Sequence, residues 1–155
     1  MRTLRHNKIH DITFINKDSS QKVCLTLGFA LIILGLIGTV SEEFIGLHLN
    51  NVNKSFYLLT GILAIWFGSQ VNGKNSFYFC VFTGAFYIAL GIVGFSYGVP
   101  ELHSLGDISN SKEQFLLKLI PNKFELGSMD HTLHIITAIL FLFAAVPTGK
   151  ASFED

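Results

Sequence analysis

Charge is scarce in this sequence. Asp, Glu, Lys and Arg supply 14% of its 155 residues, against about 25% in soluble domains. Four segments, 23–40, 55–71, 77–97 and 131–146, contain none of the four. A helix of a soluble bundle keeps a polar stripe toward water, so this lack argues against four ordinary buried helices. Cysteine is sparse as well: two residues are too few for a disulfide framework. Bases and acids balance at eleven each, which removes any general attraction to nucleic acid. There is no P-loop, dinucleotide fingerprint, zinc-protease motif or hydrolase serine motif. No enzyme and no bound cofactor are expected.

What the chain does have is apolar bulk. Half of its residues are hydrophobic, fifteen are phenylalanine, and the mean hydropathy is +0.48. The first run holds 18 residues, which at about 1.5 Å per residue reach roughly 27 Å. The hydrocarbon core of a bilayer is roughly 30 Å thick. The sequence therefore predicts an all-α fold, a four-helix transmembrane bundle with helices at about 23–40, 55–71, 77–97 and 131–146. Residues 1–22 form a cytoplasmic N-terminal segment, on the inner leaflet or as a loose tail, 23–147 the membrane domain, and 148–155 a cytoplasmic tail. The first run follows 22 polar residues and lacks an Ala-x-Ala site, so it reads as a retained anchor rather than a cleaved signal.

The chain is also written twice. Cys24, Gly28, Leu34, Gly35 and Gly38 recur as Cys80, Gly84, Leu90, Gly91 and Gly94, 56 residues on. Thr60-Gly61-Ile62-Leu63 similarly recurs as Thr137-Ala138-Ile139-Leu140. Each half is thus an outward-pointing helical hairpin, and such parallel repeats are related by an axis along the membrane normal. With the N-terminus inside, Arg2, Arg5, Lys8, Lys17, Lys22, Lys74 and Lys150 lie inside, against Lys54, Lys112, Lys118 and Lys123 outside. That bias places both termini in the cytoplasm of the inner membrane.

Between the second and third runs lies Asn72-Gly73-Lys74-Asn75-Ser76, a turn short enough to make helices 2 and 3 antiparallel neighbours. The outer loop before the last run contains Ser111 and Gln114, a capping-box pair, with Phe115, Leu116, Leu119 and Ile120 on one helical face. That predicts a short helix over 111–120, lying in the outer interface or packed as a lid.

Two groups of residues are candidates for a role. Gly28, Gly35, Gly38, Gly61, Gly68, Gly84, Gly91 and Gly94 form small-residue faces. In lipid such faces let helices approach closely, as packing within the bundle, a dimer seam or a pathway lining. Cys24 and Cys80 sit at matched depth and read as small core residues. Asp130, His131 and His134 open the last helix, where a carboxylate can cap free N–H groups. His134 lies one turn beyond Asp130 and is in reach of it; His48, in the first outer loop, can join them. The group reads as a polar lock between the hairpins or as a metal, haem or pH-sensing site. Tyr57, Trp66, Tyr78 and Tyr97 read as interfacial aromatics.

The stretches Gly46-Leu47-His48-Leu49-Asn50, Tyr57-Leu58-Leu59-Thr60-Gly61 and Asp130-His131-Thr132-Leu133-His134 resemble bacterial four-helix membrane proteins of the domain of unknown function 4383 family. The resemblance covers roughly 23–147 and implies the fold, not an activity. Members often carry His in helix 2 where this chain has Tyr57, which weakens the case for a symmetric two-histidine site. The expected function is a non-enzymatic accessory or scaffold subunit of an inner-membrane assembly. Its partners would be the bilayer and other membrane subunits or a second copy. A small oligomeric transporter or channel, or a His-based metal or redox protein, are the alternatives.

Overall fold

Each apolar run becomes a helix, and each helix begins before its run does. The computed structural model describes residues 18–102, 113–121 and 123–153. Its helices are α1 (Ser19–Val40), α2 (Asn51–Ser69), α3 (Gly73–Tyr97) and α4 (Ser128–Phe153). The earlier starts come from polar caps. Asn50 accepts from the N–H groups of Val52 and Asn53 at 3.1 and 2.9 Å. Asn72 accepts from Lys74 N–H at 2.9 Å. Gln21 accepts from the Asp18 N–H at 3.0 Å. These bonds satisfy donors that a helix end otherwise leaves free. At its other end α4 runs through Pro147 rather than stopping before it. The N-terminal segment before Asp18 lies outside the described residues.

α1, α3 and the part of α4 from Ser128 to Pro147 are long and apolar enough to cross a membrane. α2 is not among them, because its first turn carries Asn51, Asn53 and Lys54. Every helix nonetheless turns large apolar side chains outward. Phe29 and Ile33 on α1, Leu59 and Trp66 on α2, Phe82 on α3 and Phe143 on α4 are all exposed. The interior holds the smaller groups, including Cys24, Ala64, Cys80 and Ala138, around Tyr57, Tyr87 and Phe141. Large apolar side chains turned outward on every helix suit a bundle whose surroundings are lipid rather than water.

The most extensive contacts are α1 with α2 and α3 with α4; α2 and α3 meet more narrowly, through Phe67 stacked on Phe79 at 5.0 Å and the Tyr87 hydroxyl donating to Thr60 Oγ1 at 3.2 Å. The turn joins them in sequence, but the glycines decide the packing. Gly28 and Gly61 oppose each other: a Cβ on Gly61 would stand 2.7 Å from the Gly28 carbonyl oxygen. Gly35 lies against Leu58, Gly38 against Leu49, and Gly68 against Cys24. In the second hairpin Gly84 lies against Leu142, Gly91 against Ile135, and Gly94 against the His131 ring. The small-residue faces are therefore used inside each hairpin.

The hairpins join mainly through α1, which touches both α4 and α3. At the end that carries the α2–α3 turn, the Ser20 hydroxyl donates to the Ala144 carbonyl at 3.0 Å. Cys24 and Cys80 meet there with Sγ atoms 3.4 Å apart, both free thiols and both fully buried.

The opposite end of the bundle is not helical, and so the fold is not purely α. β1 (Glu43–Phe44) and β2 (Leu47–His48) form a minimal hairpin. Its two-residue turn, Ile45-Gly46, has both φ values positive, at 52° and 76°, as a hairpin turn of matching twist requires. β3 (Val99–Glu101), β4 (Glu113–Ile120) and β5 (Phe124–Leu126) make a three-stranded antiparallel sheet in that order. This overturns the short helix expected over 111–120: its residues from Glu113 onward are β4, and Ser111 lies outside the described residues. The helical spacing of Phe115, Leu116, Leu119 and Ile120 lost to pairing on both sides, Leu116 opposite Val99 and Leu117 opposite Leu126. β-structure depends on such neighbours more than on local preference.

Candidate functional site

The two small sheets cover one end of the bundle and bury a group of polar side chains there. α4 needs a cap, yet the residue before it is Gly127, which has no side chain to offer. Two carboxylates from elsewhere do the work. Glu113 of β4 accepts from the Ser128 N–H at 2.6 Å. Asp130, in the first turn of α4, reaches back to the Gly127 N–H at 2.9 Å. A side chain on Gly127 would run into the Glu113 carboxylate.

Asp130 also crosses between the hairpins. It accepts from His48 Nδ1 at 3.0 Å and from the His48 backbone N–H at 3.3 Å. The tautomer with its proton on Nδ1 is the one this carboxylate selects. Asp130 is fully buried and His48 nearly so. A buried carboxylate is tolerable because every contact made to it brings a donor. His48 Nε2 lies 3.7 Å from a Glu113 oxygen. Burial disfavours charge on His48, but the hydrogen bond to Asp130 and the nearby Asp130, Glu113 and Glu43 charges outweigh it, so its pKa rises above 6.5. β2, β4 and α4 thus meet at one imidazole.

Asn50 and Asn53 extend the clasp. Asn50 donates to the Glu125 carbonyl at 2.9 Å, and Asn53 to the His48 carbonyl at 2.6 Å. The cap of α2 is therefore also the seat of β5.

The histidines of α4 go elsewhere. His131 is fully buried, with Nε2 2.8 Å from the Phe115 carbonyl oxygen and Phe95 edge-on to its ring at 5.3 Å. His134 lies one turn deeper, between Tyr57 and Tyr87 at ring distances of 6.3 and 5.3 Å. Among the described residues no hydrogen bond joins it to Asp130, which corrects the contact drawn from their four-residue spacing. His131 Nδ1, His134 Nδ1 and the Tyr57 hydroxyl are buried and have no hydrogen-bond partner among the described residues.

The sequence-predicted residues divide accordingly. His48 and Asp130 are brought together; His131 and His134 point into the helical core. Among the described residues no group of three or more His, Cys, Asp or Glu is placed to hold a metal ion. Glu113, Asn50 and Asn53 were missed as members. The Asn50 to Asn53 cluster was visible as a polar loop, and its capping spacing was the signal available. Glu113 gave none, since only the sheet carries it to α4. Tyr57 is buried rather than interfacial, whereas Trp66, Tyr78 and Tyr97 are exposed.

Chemically the cluster is saturated at its outer part. Asp130 is bonded to loop N–H groups and an imidazole. The described cavity, between α2 and α3, is lined almost wholly by apolar side chains. No protein-family profile, curated protein or solved structure matches this chain.

Proposed function

We propose that this chain is a non-enzymatic integral membrane protein serving as an accessory or scaffold subunit of a larger inner-membrane assembly. The observation that carries this reading is the use made of Asp130. A buried carboxylate in a membrane bundle is a functional-site candidate by default. Here its acceptor capacity goes to the Gly127 and His48 N–H groups and the His48 ring, so it fixes the outer cap to the helices. The product is a rigid outer cap on an apolar stem. In this reading α2 spans the membrane as the fourth helix, with its polar first turn at the outer interface, and both termini are cytoplasmic. The resemblance to the domain of unknown function 4383 family belongs to the same proposal.

Mild detergent extraction followed by blue native electrophoresis tests the assembly. A band well above the monomer, shared with other subunits on mass spectrometry, is the expected result. A lone monomer across several detergents would overturn it. Labelling of Ile45→Cys, on the exposed β1–β2 turn, by an impermeant thiol reagent from outside the cell tests the orientation.

The transporter or channel reading has one observation on its side. The unpartnered Tyr57 hydroxyl and His134 Nδ1 are polar atoms deep in the bundle. They face an apolar interior rather than a polar path, so it stands second.

A further inference from the structure

α2 is the shortest of the four helices. From Ser55, where its polar first turn ends, to Ser69 it reaches about 22 Å at about 1.5 Å per residue. The hydrocarbon of a bilayer is roughly 30 Å thick. At the capped end the shortfall falls on Asn51, Asn53 and Lys54. A span shorter than the hydrocarbon thins the bilayer or draws flanking residues to the interface. The β4–β5 hairpin stands beside this turn, because Asn50, the cap of α2, donates to the Glu125 carbonyl at 2.9 Å.

The strand register fixes which way the tip of that hairpin faces. Leu126 is fully buried, and Phe124, two residues before it on β5, lies on the same, bundle-facing side of the sheet. The Phe124 ring stacks on Phe56 at 6.4 Å, and Phe56 stacks on Phe86 at 5.8 Å. This side of the sheet therefore reaches from the end of the bundle onto its flank. Ile120 is the cross-strand partner of Phe124, and directly opposed residues share a face. Ile120 thus points the same way as Phe124, yet it is 50% exposed, and Leu119 beside it is 44% exposed. Both overhang the edge of the helices. Lys123 is exposed at the turn. A turn that enters the edge of a bilayer needs few free donors. Here the Lys123 N–H donates to the Ile120 carbonyl at 3.0 Å, and Pro121 has no N–H to satisfy.

We infer that the β4–β5 tip is an interfacial anchor, seating Leu119 and Ile120 at the acyl-chain boundary of the bilayer and Lys123 among the lipid phosphates. One exposed isoleucine on a loop is ordinary. Here Ile120, Phe124 and Phe56 follow one another onto a helix flank that itself turns apolar side chains outward, and the row ends in a lysine. A lysine stem lies along apolar surface while its ammonium reaches the headgroups, as residues flanking a span do. The anchor supplies, beside α2, the apolar surface that its polar first turn withholds. It rests on the membrane reading above, with α2 as a span, and not on the assembly role.

The full chain, reconstituted in phosphatidylcholine vesicles, tests this by tryptophan quenching with lipids brominated near the top of their acyl chains. Trp66, exposed on α2, is the chain's single tryptophan. In Trp66→Phe combined with Ile120→Trp, the new indole reports on the tip. The expected result is a fractional loss of fluorescence in brominated vesicles comparable with that of Trp66 in the wild type. Leu119→Trp on the same background reads the same contact and serves if Ile120→Trp does not fold. Full fluorescence of both reporters in brominated vesicles overturns the anchor. Quenching by aqueous iodide would then place the tip in water, and shielding from both quenchers would place it under a partner protein or a second copy. Trp66 separates this failure from that of the membrane reading. No loss at Trp66 sinks the membrane reading itself, whereas loss at Trp66 with none at the tip sinks only the anchor.

Discussion

Removing the Asp130 carboxylate should open the outer clasp. In Asp130→Ala, the His48 backbone N–H, the His48 Nδ1–H and the Gly127 N–H all lose their acceptor. Hydrogen bonds to a charged group contribute about 1.5–3 kcal/mol each, but the freed loop can admit some water. Breaking a buried charged pair by deleting one partner costs about 3–5 kcal/mol, and we expect about 4 kcal/mol here. At about 2–4 °C per kcal/mol for a chain of this size, the melting temperature should fall by about 12 °C. Asp130→Asn keeps one acceptor oxygen and should lose about half as much. The assay is thermal unfolding in mild detergent at pH 6, followed by circular dichroism and tryptophan fluorescence. His48→Ala combined with Asp130→Ala should cost less than the sum of the two, because they share a bond. An Asp130→Ala protein melting within about 3 °C of the wild type would refute the clasp.

Three further outcomes follow from the same geometry. The folded state raises the His48 pKa above 6.5, so it favours the protonated ring. That contribution is full below about pH 6.5 and is lost as pH rises through the higher folded value. Melting temperature should therefore drop across that window in the wild type and not in His48→Gln; equal pH profiles would contradict the assignment. Gly61→Val should weaken the α1–α2 crossing, where even a Cβ would stand 2.7 Å from the Gly28 carbonyl oxygen. A loss of about 1–3 kcal/mol in a denaturant titration is expected, and a neutral result would place the crossing elsewhere. Tyr57→Phe removes a buried hydroxyl with no partner among the described residues, so it should leave melting unchanged or raise it slightly. A drop above about 3 °C would show that the hydroxyl has a partner.

The helices were legible because a helix in lipid needs nothing but an unbroken apolar run. Their first turns were not, because Asn50 to Lys54 and Asn72 to Ser76 look like loops until a cap bond closes them. The repeated glycines were legible as faces, since Gly28 and Gly35 are seven residues apart, but spacing on one helix carries no information about which helix it meets. β4 was misread for a related reason. Its apolar residues fit a helical face, and only the strands on either side of it make a strand of Glu113–Ile120. Asp130 and His48 were within reach as partners, since both lie at the outer ends of their hairpins. The part played by Glu113 depends on that same sheet and stayed out of view.

The pairing of α1 with α2 and α3 with α4 bears on how the chain is made. Both tight contacts join consecutive helices, so the mean sequence separation of close neighbours is short, and low contact order favours rapid folding. Each half can zip together as soon as its second helix has formed. Long-range bonds, such as His48 to Asp130 across 82 residues, have to wait for the second half. The seam between the halves is then the last part to form, and the part that a chain stopped after its first half leaves undone.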